Sequence, residues 1–140
     1  MTMSEWAYVA LGSNLGDRDQ YLSLGRERLA SLPRTTLCAE SSIEETEPVG
    51  PVPQHRYLNQ MVLLDTELLP RKLLYGCQRI ESEAGRRRNL HWGPRTLDLD
   101  IVLYGDETTN ETDLAIPHPE LANRDFWQRE IAELEPYARR

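Results

Sequence analysis

Apolar and polar residues alternate along the first half of the chain in segments of strand and helix length. Residues 6–11, 35–42 and 57–66 are short runs rich in apolar and β-branched residues, which favours strands. Between the first two runs, a helical repeat of apolar residues follows Asp17, a typical helix N-cap, and ends at Pro33. The pattern therefore predicts strand, helix, strand and strand, in this order.

A second helix and a fourth strand follow. Pro70 suits the first turn of a helix and Gly85 its end, with apolar residues at helical spacing between them. Residues 97–104 alternate in the manner of a strand, and a short strand at 114–116 and a helix from about 119 to 134 come after it. This order predicts an α+β fold: a ferredoxin-like βαββαβ core, whose antiparallel sheet has helices packed on it, plus a C-terminal strand and helix.

The strand at residues 97–104 carries the first candidate chemistry. Its apolar residues are predicted to share one face: Leu97, Leu99, Ile101 and Leu103. Asp98 and Asp100 fall together on the other face, about 7 Å apart along the strand. Two carboxylates this close repel each other unless a cation lies between them, which suggests Mg²⁺. The alternative is a half-exposed strand with a solvated polar face.

Basic residues cluster directly before that strand. Arg86, Arg87 and Arg88 lie in a predicted loop, and a Gly-Pro turn holds Arg95 at a defined angle to the strand. Guanidinium groups suit bidentate contacts with phosphate, although a solvated cluster is the alternative. Carboxylates for a metal beside arginines for phosphates suggest a nucleotide site.

Other candidate residues have structural alternatives that the residues alone leave open. Tyr57 and Asn59 share one strand face, where a ring and an amide would suit a flat heterocycle or simply form a polar surface. Leu74, Gln78 and Glu81 form one helical stripe, which is either a binding face or a solvated one.

Three further features remain ambiguous. The glycine-rich turn at residues 12–16 brings backbone amides into reach of a ligand or merely joins a strand to a helix. His118 lies between two prolines, and Phe126 is the only phenylalanine of the chain. A structural role is the default interpretation for both.

Composition limits the classes of partner. The chain has 140 residues, which we interpret as one domain spanning residues 1–140, with a net charge of −7. An acidic surface argues against general binding of nucleic acids or anionic membranes. Cys38 and Cys77 have no metal-type spacing, no secretory peptide precedes them, and no apolar run approaches the roughly 20 residues of a membrane span. We therefore expect free thiols and a soluble cytoplasmic protein, monomeric or, as the alternative, dimeric.

Several motifs together resemble one known family. They occur at residues 10–16 (ALGSNLG), 46–51 (TEPVGP), 57–59 (YLN), 78–81 (QRIE), 91–102 (HWGPRTLDLDIV) and 123–126 (NRDF). With these motifs the chain resembles the 6-hydroxymethyl-7,8-dihydropterin pyrophosphokinases of folate biosynthesis. The resemblance implies Mg²⁺-dependent transfer of pyrophosphate from ATP to the hydroxymethyl group of the pterin, giving AMP and the pterin diphosphate, and it agrees with the ferredoxin-like fold.

The resemblance also implies roles for individual residues. Asp98, Asp100, Arg86 and Arg95 are the implied catalytic residues, the two aspartates holding two Mg²⁺ ions that bridge the triphosphate. The implied pterin contacts are Gly12, Thr46, Val49, Tyr57, Asn59, Trp92 and Phe126. The implied contacts of ATP, the co-substrate, are Leu74, Gln78, Glu81, Arg88, His91, Ile101, His118 and Arg124. The loop at residues 86–91 is expected to close over ATP and exclude water.

The chain departs from the family pattern at a few positions. Asp113 and Ala115 stand where one member of the family has an arginine and a threonine near the nucleotide, and residues 127–130 (WQRE) replace a largely apolar stretch. One alternative is therefore a pterin- or nucleotide-binding relative that has lost transfer activity. A ferredoxin-like RNA-binding module is disfavoured by the acidic composition and by the lack of an aromatic-rich strand motif.

Overall fold

An antiparallel sheet organises the part of the chain that the computed structural model describes, residues 3–48, 50–51, 53–85 and 96–139. Its strands are β1 (Glu5–Ser13), β2 (Thr35–Glu40), β3 (Glu44–Thr46), β4 (Tyr57–Thr66) and β5 (Asp98–Tyr104). The helices are α1 (Arg18–Ala30), α2 (Pro70–Glu83) and α3 (Asp125–Leu134), and β6 (Thr109–Glu111) and β7 (Leu114–Ile116) form a separate hairpin. The sheet order β2-β4-β1-β5, with β3 also paired to β4, confirms the predicted ferredoxin-like core.

Helices cover both faces of the sheet, and each face has its own apolar cluster. On one face, which we call the helical face, α1 and α2 pack on one set of strand residues, among them Val9, Leu64 and Leu99. On the opposite face, which we call the α3 face, Trp127 and Leu134 of α3 pack on Ala10 and other strand residues. The period-two alternation of buried strands explains this division, because neighbouring residues supply opposite clusters.

Local signals account for the helix ends. The Asp17 carboxylate accepts a hydrogen bond from the backbone N–H of Gln20, at 3.1 Å, and so caps α1 as predicted. Pro70 is the first residue of α2, where its missing N–H costs nothing, and Gly85 follows the helix with a positive φ of 75°. Both cysteines are free thiols, as predicted, with Cys38 exposed and Cys77 buried.

Three predictions of the strand pattern need correction. Leu103 lies on the α3 face and not with Leu99 and Ile101. The cause is a β-bulge in β5: Tyr8 pairs with Leu103 and the next residue, Val9, pairs with Ile101, so that β5 has one extra residue at this point. Two short strands, β3 and β6, were not predicted, since their three residues each carry no apolar alternation. The segment at 35–42 ends its strand at Glu40.

The last helix is shorter than predicted. Residues 119–134 were expected to be helical, whereas α3 begins at Asp125 after a separate 3-10 turn over Leu121–Asn123. Arg124 is extended between the two elements, with φ −114° and ψ 92°. Within the described residues, none of the helices has both the length and the apolar character that crossing a bilayer requires.

Candidate functional site

A row of paired residues crosses four strands of the α3 face. Glu44 of β3 pairs with Asn59 of β4, Asn59 with Gly12 of β1, and Gly12 with Asp98 of β5. Register partners in an antiparallel sheet direct their side chains to the same face, and neighbouring strands lie about 4.8 Å apart. Asn59 and Asp98 therefore flank a glycine, with two strand spacings, about 10 Å, between them.

Gly12 has no side chain, and the side chains of Tyr57 and Asn59 border the space above it. A Cβ atom on Gly12 would lie 3.3 Å from Cδ1 of Tyr57 and 3.4 Å from Oδ1 of Asn59. The Asn59 amide donates to Oγ1 of Thr46 at 2.6 Å, which fixes the orientation of the amide. We call Gly12, Thr46, Tyr57 and Asn59 the Gly12 cluster. It combines an aromatic ring with amide and hydroxyl groups, as a flat heterocycle with a polar edge requires.

Asp98 and Asp100 are both on the α3 face, as the alternation predicted. They pair with Gly12 and Ala10 on β1, two residues with little or no side chain, and the Asp100 side chain keeps 38% of its surface exposed. The small neighbours leave space in front of the carboxylates. On the side of β1, and considering the described residues alone, the strand neighbours therefore do not bury the pair.

The two carboxylates fit a hard metal ion shared with a ligand. In the part of the chain that the structure describes, no three His, Cys, Asp or Glu side chains are grouped so as to enclose a metal by themselves. Mg²⁺ does not need such a cage, because it takes one or two carboxylates and completes its octahedron with water and phosphate oxygens. Asp98 and Asp100 provide this donor set.

His118 is fixed beside Asp100 by its own loop. Its backbone N–H donates to the carbonyl of Val102 at 2.9 Å, and its Nδ1 accepts from the backbone N–H of Glu120 at 3.0 Å. Because Nδ1 is an acceptor, Nε2 carries the ring proton, and Nε2 lies 3.5 Å from Oδ1 of Asp100. The ring therefore presents a donor to the carboxylate pair.

Trp127 holds three predicted site residues together. It is 2% exposed, and its ring makes an edge contact with His118, with 4.9 Å between the ring centroids. The guanidinium carbon of Arg124 lies 4.4 Å from the centroid of the Trp127 ring, a cation–π contact, and Phe126 packs edge-on at 6.3 Å. No role for Trp127 was predicted from the sequence. Its helical spacing from Leu134, and the predicted site residue next to it, were the available signals.

Several residues implied in ATP binding lie on α2, which packs on the helical face of the sheet, and one lies on the edge strand β5. Leu74 is packed against the core cluster there, Gln78 is half-buried, and Ile101 is 5% exposed within that cluster. These side chains are thus separated from the carboxylate face by the strand itself. A nucleotide that contacts both sets has to pass around the edge of β5 that does not pair with β1.

Glu81 has a structural partner that the sequence did not indicate. Its side chain is buried, and Oε2 accepts a hydrogen bond from the backbone N–H of Leu99 at 2.8 Å. Leu99 lies between the two aspartates on β5. In the described part of the chain β5 pairs with β1 alone, and Glu81 supplies the acceptor for a backbone N–H on the other side of β5.

Six predicted site residues lie outside the described residues. They are Val49, Arg86, Arg88, His91, Trp92 and Arg95. Their roles stay predictions. Asp113, one of the departures from the family pattern, forms an ion pair with Arg71 at 2.7 Å on the exposed surface.

Comparison with known proteins places the chain in a family. The family model described as 7,8-dihydro-6-hydroxymethylpterin-pyrophosphokinase (HPPK) matches residues 8–136. Curated relatives named 2-amino-4-hydroxy-6-hydroxymethyldihydropteridine pyrophosphokinase include that of Bacillus subtilis, 44% identical over 132 residues, which are 94% of this chain and 79% of the relative. That of Pseudomonas aeruginosa is 42% identical over 134 residues, 96% of this chain and 83% of the relative.

A third relative with the same name agrees with these two. The protein from Haemophilus influenzae is 46% identical over 120 residues, which are 86% of this chain and 75% of the relative. The family match at residues 8–136 includes the strands that carry the Gly12 cluster and the aspartate pair. The chain therefore belongs to the 7,8-dihydro-6-hydroxymethylpterin-pyrophosphokinase family and is a diphosphotransferase.

Proposed function

We propose that this enzyme transfers pyrophosphate from ATP to the hydroxymethyl group of 6-hydroxymethyl-7,8-dihydropterin in a Mg²⁺-dependent step of folate biosynthesis. The products are AMP and the pterin diphosphate. The observation that carries the proposal is the row across the α3 face, in which an aromatic–amide cluster and a pair of carboxylates flank a glycine. This arrangement supports binding of a flat heterocycle beside a metal-bound phosphate.

The Gly12 cluster is the proposed pterin site. Tyr57 and Phe126 would stack on the two faces of the ring, while Asn59 and Thr46 would read its polar edge. The hydrogen bond between Asn59 and Thr46 prepares the amide before the substrate arrives. The absence of a side chain at Gly12 lets the ring approach the sheet, and Val49 and Trp92 complete the site in the prediction.

Asp98 and Asp100 are the proposed metal ligands. When bound there, Mg²⁺ supplies charge neutralisation and alignment for the phosphates of ATP. His118 orients Asp100 through its Nε2–H, and Arg124, fixed on Trp127, offers a guanidinium group to the phosphates. We assign further phosphate contacts to Arg86, Arg88, His91 and Arg95, and contacts with the nucleoside to Leu74, Gln78, Glu81 and Ile101.

The transfer is an in-line displacement at phosphorus. The hydroxymethyl oxygen of the pterin attacks the β-phosphorus of ATP, a new P–O bond forms, and the bond to the α-phosphate oxygen breaks to release AMP. The hydroxyl proton leaves to solvent or to a nearby base. Catalysis in such transfers comes mainly from alignment and charge stabilisation, and the Gly12 cluster on one side and the aspartate pair on the other would provide the alignment.

A product assay tests the proposal. The protein is incubated with ATP, MgCl₂ and 6-hydroxymethyl-7,8-dihydropterin, and AMP is measured by chromatography, with the pterin or the metal left out of control samples. We expect AMP only in the complete mixture and no ADP. Binding of the pterin and ATP without AMP formation would indicate the inactive binding relative instead.

A further inference from the structure

Glu130 is a buried carboxyl group in an apolar helix face. The buried residues of α3 are Trp127, Glu130 and Leu134, at helical spacing, and they pack against the sheet. Glu130 is only 2% exposed. A charged carboxylate at such a position is strongly destabilising unless a cation or several hydrogen bonds compensate it. The buried carboxyl group of Glu130 is therefore expected to be neutral or to have a hydrogen-bond partner.

Its partner is a second carboxyl group. The side chain of Glu130 is in hydrogen-bond contact with that of Glu44 on β3. Among the described residues, no N–H or O–H group donates to either oxygen of Glu130 or to Oε2 of Glu44, and all three atoms are buried. The other oxygen of Glu44, Oε1, accepts from Nη2 of Arg129 at 2.9 Å. A carboxyl proton is thus the available hydrogen for the contact between Glu130 and Glu44.

The surrounding charges favour one proton on the pair. Burial, followed by the contact with Glu44, raises the pKa of Glu130 to about 9. On α3 itself, Arg129 opposes this rise and Glu133 adds to it. From the sheet, β3 contributes Glu44 and β1 contributes Tyr8, whose own pKa is raised by burial, so the phenol is neutral in the same range. Glu130 therefore carries the proton, while Glu44 accepts from Arg129 through its other oxygen, Oε1.

This contact joins the two sides of the proposed pterin site. Glu44 is the register partner of Asn59, and Thr46, two residues further along β3, bonds to the Asn59 amide. At the other side, the first turn of α3 carries Phe126, one helical turn before Glu130. A bond between Glu130 and Glu44 therefore sets the distance between the strand that reads the pterin edge and the helix that supplies a ring.

We propose that Glu130 is a positioning residue of the pterin site, because its carboxyl proton, donated to Glu44, holds α3 against β3. The identity of the ligand, a pterin, rests on the proposed function. Loss of the proton places two like charges in contact and separates α3 from β3. Pterin binding then weakens more than ATP binding, because Arg124 is the only assigned ATP contact carried by α3 itself, while Leu74, Gln78, Glu81 and Ile101 lie on α2 and β5.

Steady-state kinetics over a pH range test this role. We expect the KM for the pterin to be constant near neutral pH and to rise above the ionisation of Glu130, by up to about tenfold per pH unit if binding requires the proton. The KM for ATP should rise less than the KM for the pterin, since α3 carries only one of the assigned ATP contacts, Arg124. In Glu130→Gln the amide donates to Glu44 without titrating, so the rise should disappear. Glu130→Leu, which cannot donate, should have a high pterin KM at every pH.

Two controls complete the test. Glu27→Gln makes the same chemical change at an exposed position of α1 and should retain the wild-type pH profile. Glu44→Gln places the amide donor on the other partner and should also remove the rise, so that the test does not depend on one variant folding. An identical pH profile for wild type and both Gln variants at residues 44 and 130 would overturn the proposal.

A measurement without substrate separates this inference from the proposed function. The melting temperature of the wild type should fall more steeply from neutral to alkaline pH than that of Glu130→Gln. If this difference is found but no pyrophosphate transfer occurs, the proton shared by Glu130 and Glu44 is confirmed. Only the assignment of a pterin to the neighbouring site is then wrong. If the melting profiles coincide, the shared proton itself is refuted, whatever the activity.

Discussion

At the scale of single residues, the site depends on small side chains as much as on reactive ones. Gly12 and Ala10 pair with Asp98 and Asp100, and this keeps the surface in front of the carboxylates open. The space above Gly12 is narrow, since a methyl group on this residue would lie 3.3 Å from the ring of Tyr57. Function at this row is therefore sensitive to the addition of a single methyl group.

Gly12→Ala should weaken pterin binding with little change in ATP binding. The new Cβ forces Tyr57 or Asn59 to move by a few tenths of an ångström, and overpacking of this kind costs about 1–3 kcal/mol. We expect the dissociation constant of the pterin to rise about tenfold, the equivalent of about 1.4 kcal/mol. Isothermal titration with each substrate separately measures the effect. Equal weakening of both substrates would show that the glycine does not belong to a pterin site.

Asp98→Asn and Asp100→Asn should each abolish turnover while the fold is retained. The change removes charge but hardly any volume, so circular dichroism should match the wild type. We expect kcat to fall at least about 100-fold, the scale seen when a group that stabilises transition-state charge is removed. Asp106→Asn, at an exposed turn, is the matched control and should retain activity. A folded, active Asp98/Asp100 double variant would refute the metal assignment.

At the scale of elements, two buried glutamates connect helices to strands that carry site residues. Glu81 of α2 binds the backbone of β5 between the two aspartates, and Glu130 of α3 contacts Glu44 of β3. Both occupy helix positions where an apolar residue would have been the simpler choice for stability. Their common property is that each joins a helix to an edge region of the sheet that carries site residues.

Replacing Glu81 should affect both stability and catalysis. Glu81→Leu leaves the buried N–H of Leu99 without an acceptor and should lower the free energy of unfolding by about 1–3 kcal/mol. Glu81→Gln keeps an oxygen acceptor and should lose less. Urea denaturation measures the first effect, and kcat measures the displacement of the aspartates. Equal stability of the Leu and Gln variants would contradict the role of this hydrogen bond.

The ionisation of Glu130 makes stability depend on pH in a defined direction. Its pKa is about 9 in the folded protein and near 4.5 in the unfolded chain, so the folded state binds more protons between these values. The contribution is fully present below pH 4.5 and is lost as the pH rises through about 9. Chemical denaturation of wild type and Glu130→Gln across this range isolates it. A wild-type stability that increases with pH relative to the variant would have the wrong sign.

At the scale of the whole molecule, the two sheet faces have different coverage. The pair α1 and α2 packs along the helical face, whereas the cluster under α3 involves Tyr8, Ala10, Met61 and Leu63. The row from Glu44 to Asp98 lies next to this cluster, towards the ends of the strands. Among the described residues, the site therefore occupies the part of the α3 face that lies beyond α3 itself.

Local patterns explain how much of this was predictable. The period-two alternation of β5 predicted both aspartates on one face, and caps and prolines predicted the ends of α1 and α2, because these are properties of neighbouring residues. The strand β3, the bulge before Leu103 and the contacts of Glu81 and Glu130 depend on partners distant in the chain. A charged residue on a helix looks solvated in the sequence until the element packed against it is known.

The most direct test of the proposed reaction is phosphorus NMR of the complete mixture. The central claim is that a pterin over Gly12 and a triphosphate at Asp98 and Asp100 react at the β-phosphorus. With enzyme, MgCl₂, ATP and 6-hydroxymethyl-7,8-dihydropterin, we expect the ATP signals to be replaced by those of AMP and of a pterin-linked diphosphate in equal amounts. Formation of ADP with inorganic phosphate or a pterin monophosphate, or unchanged ATP, would contradict the claim.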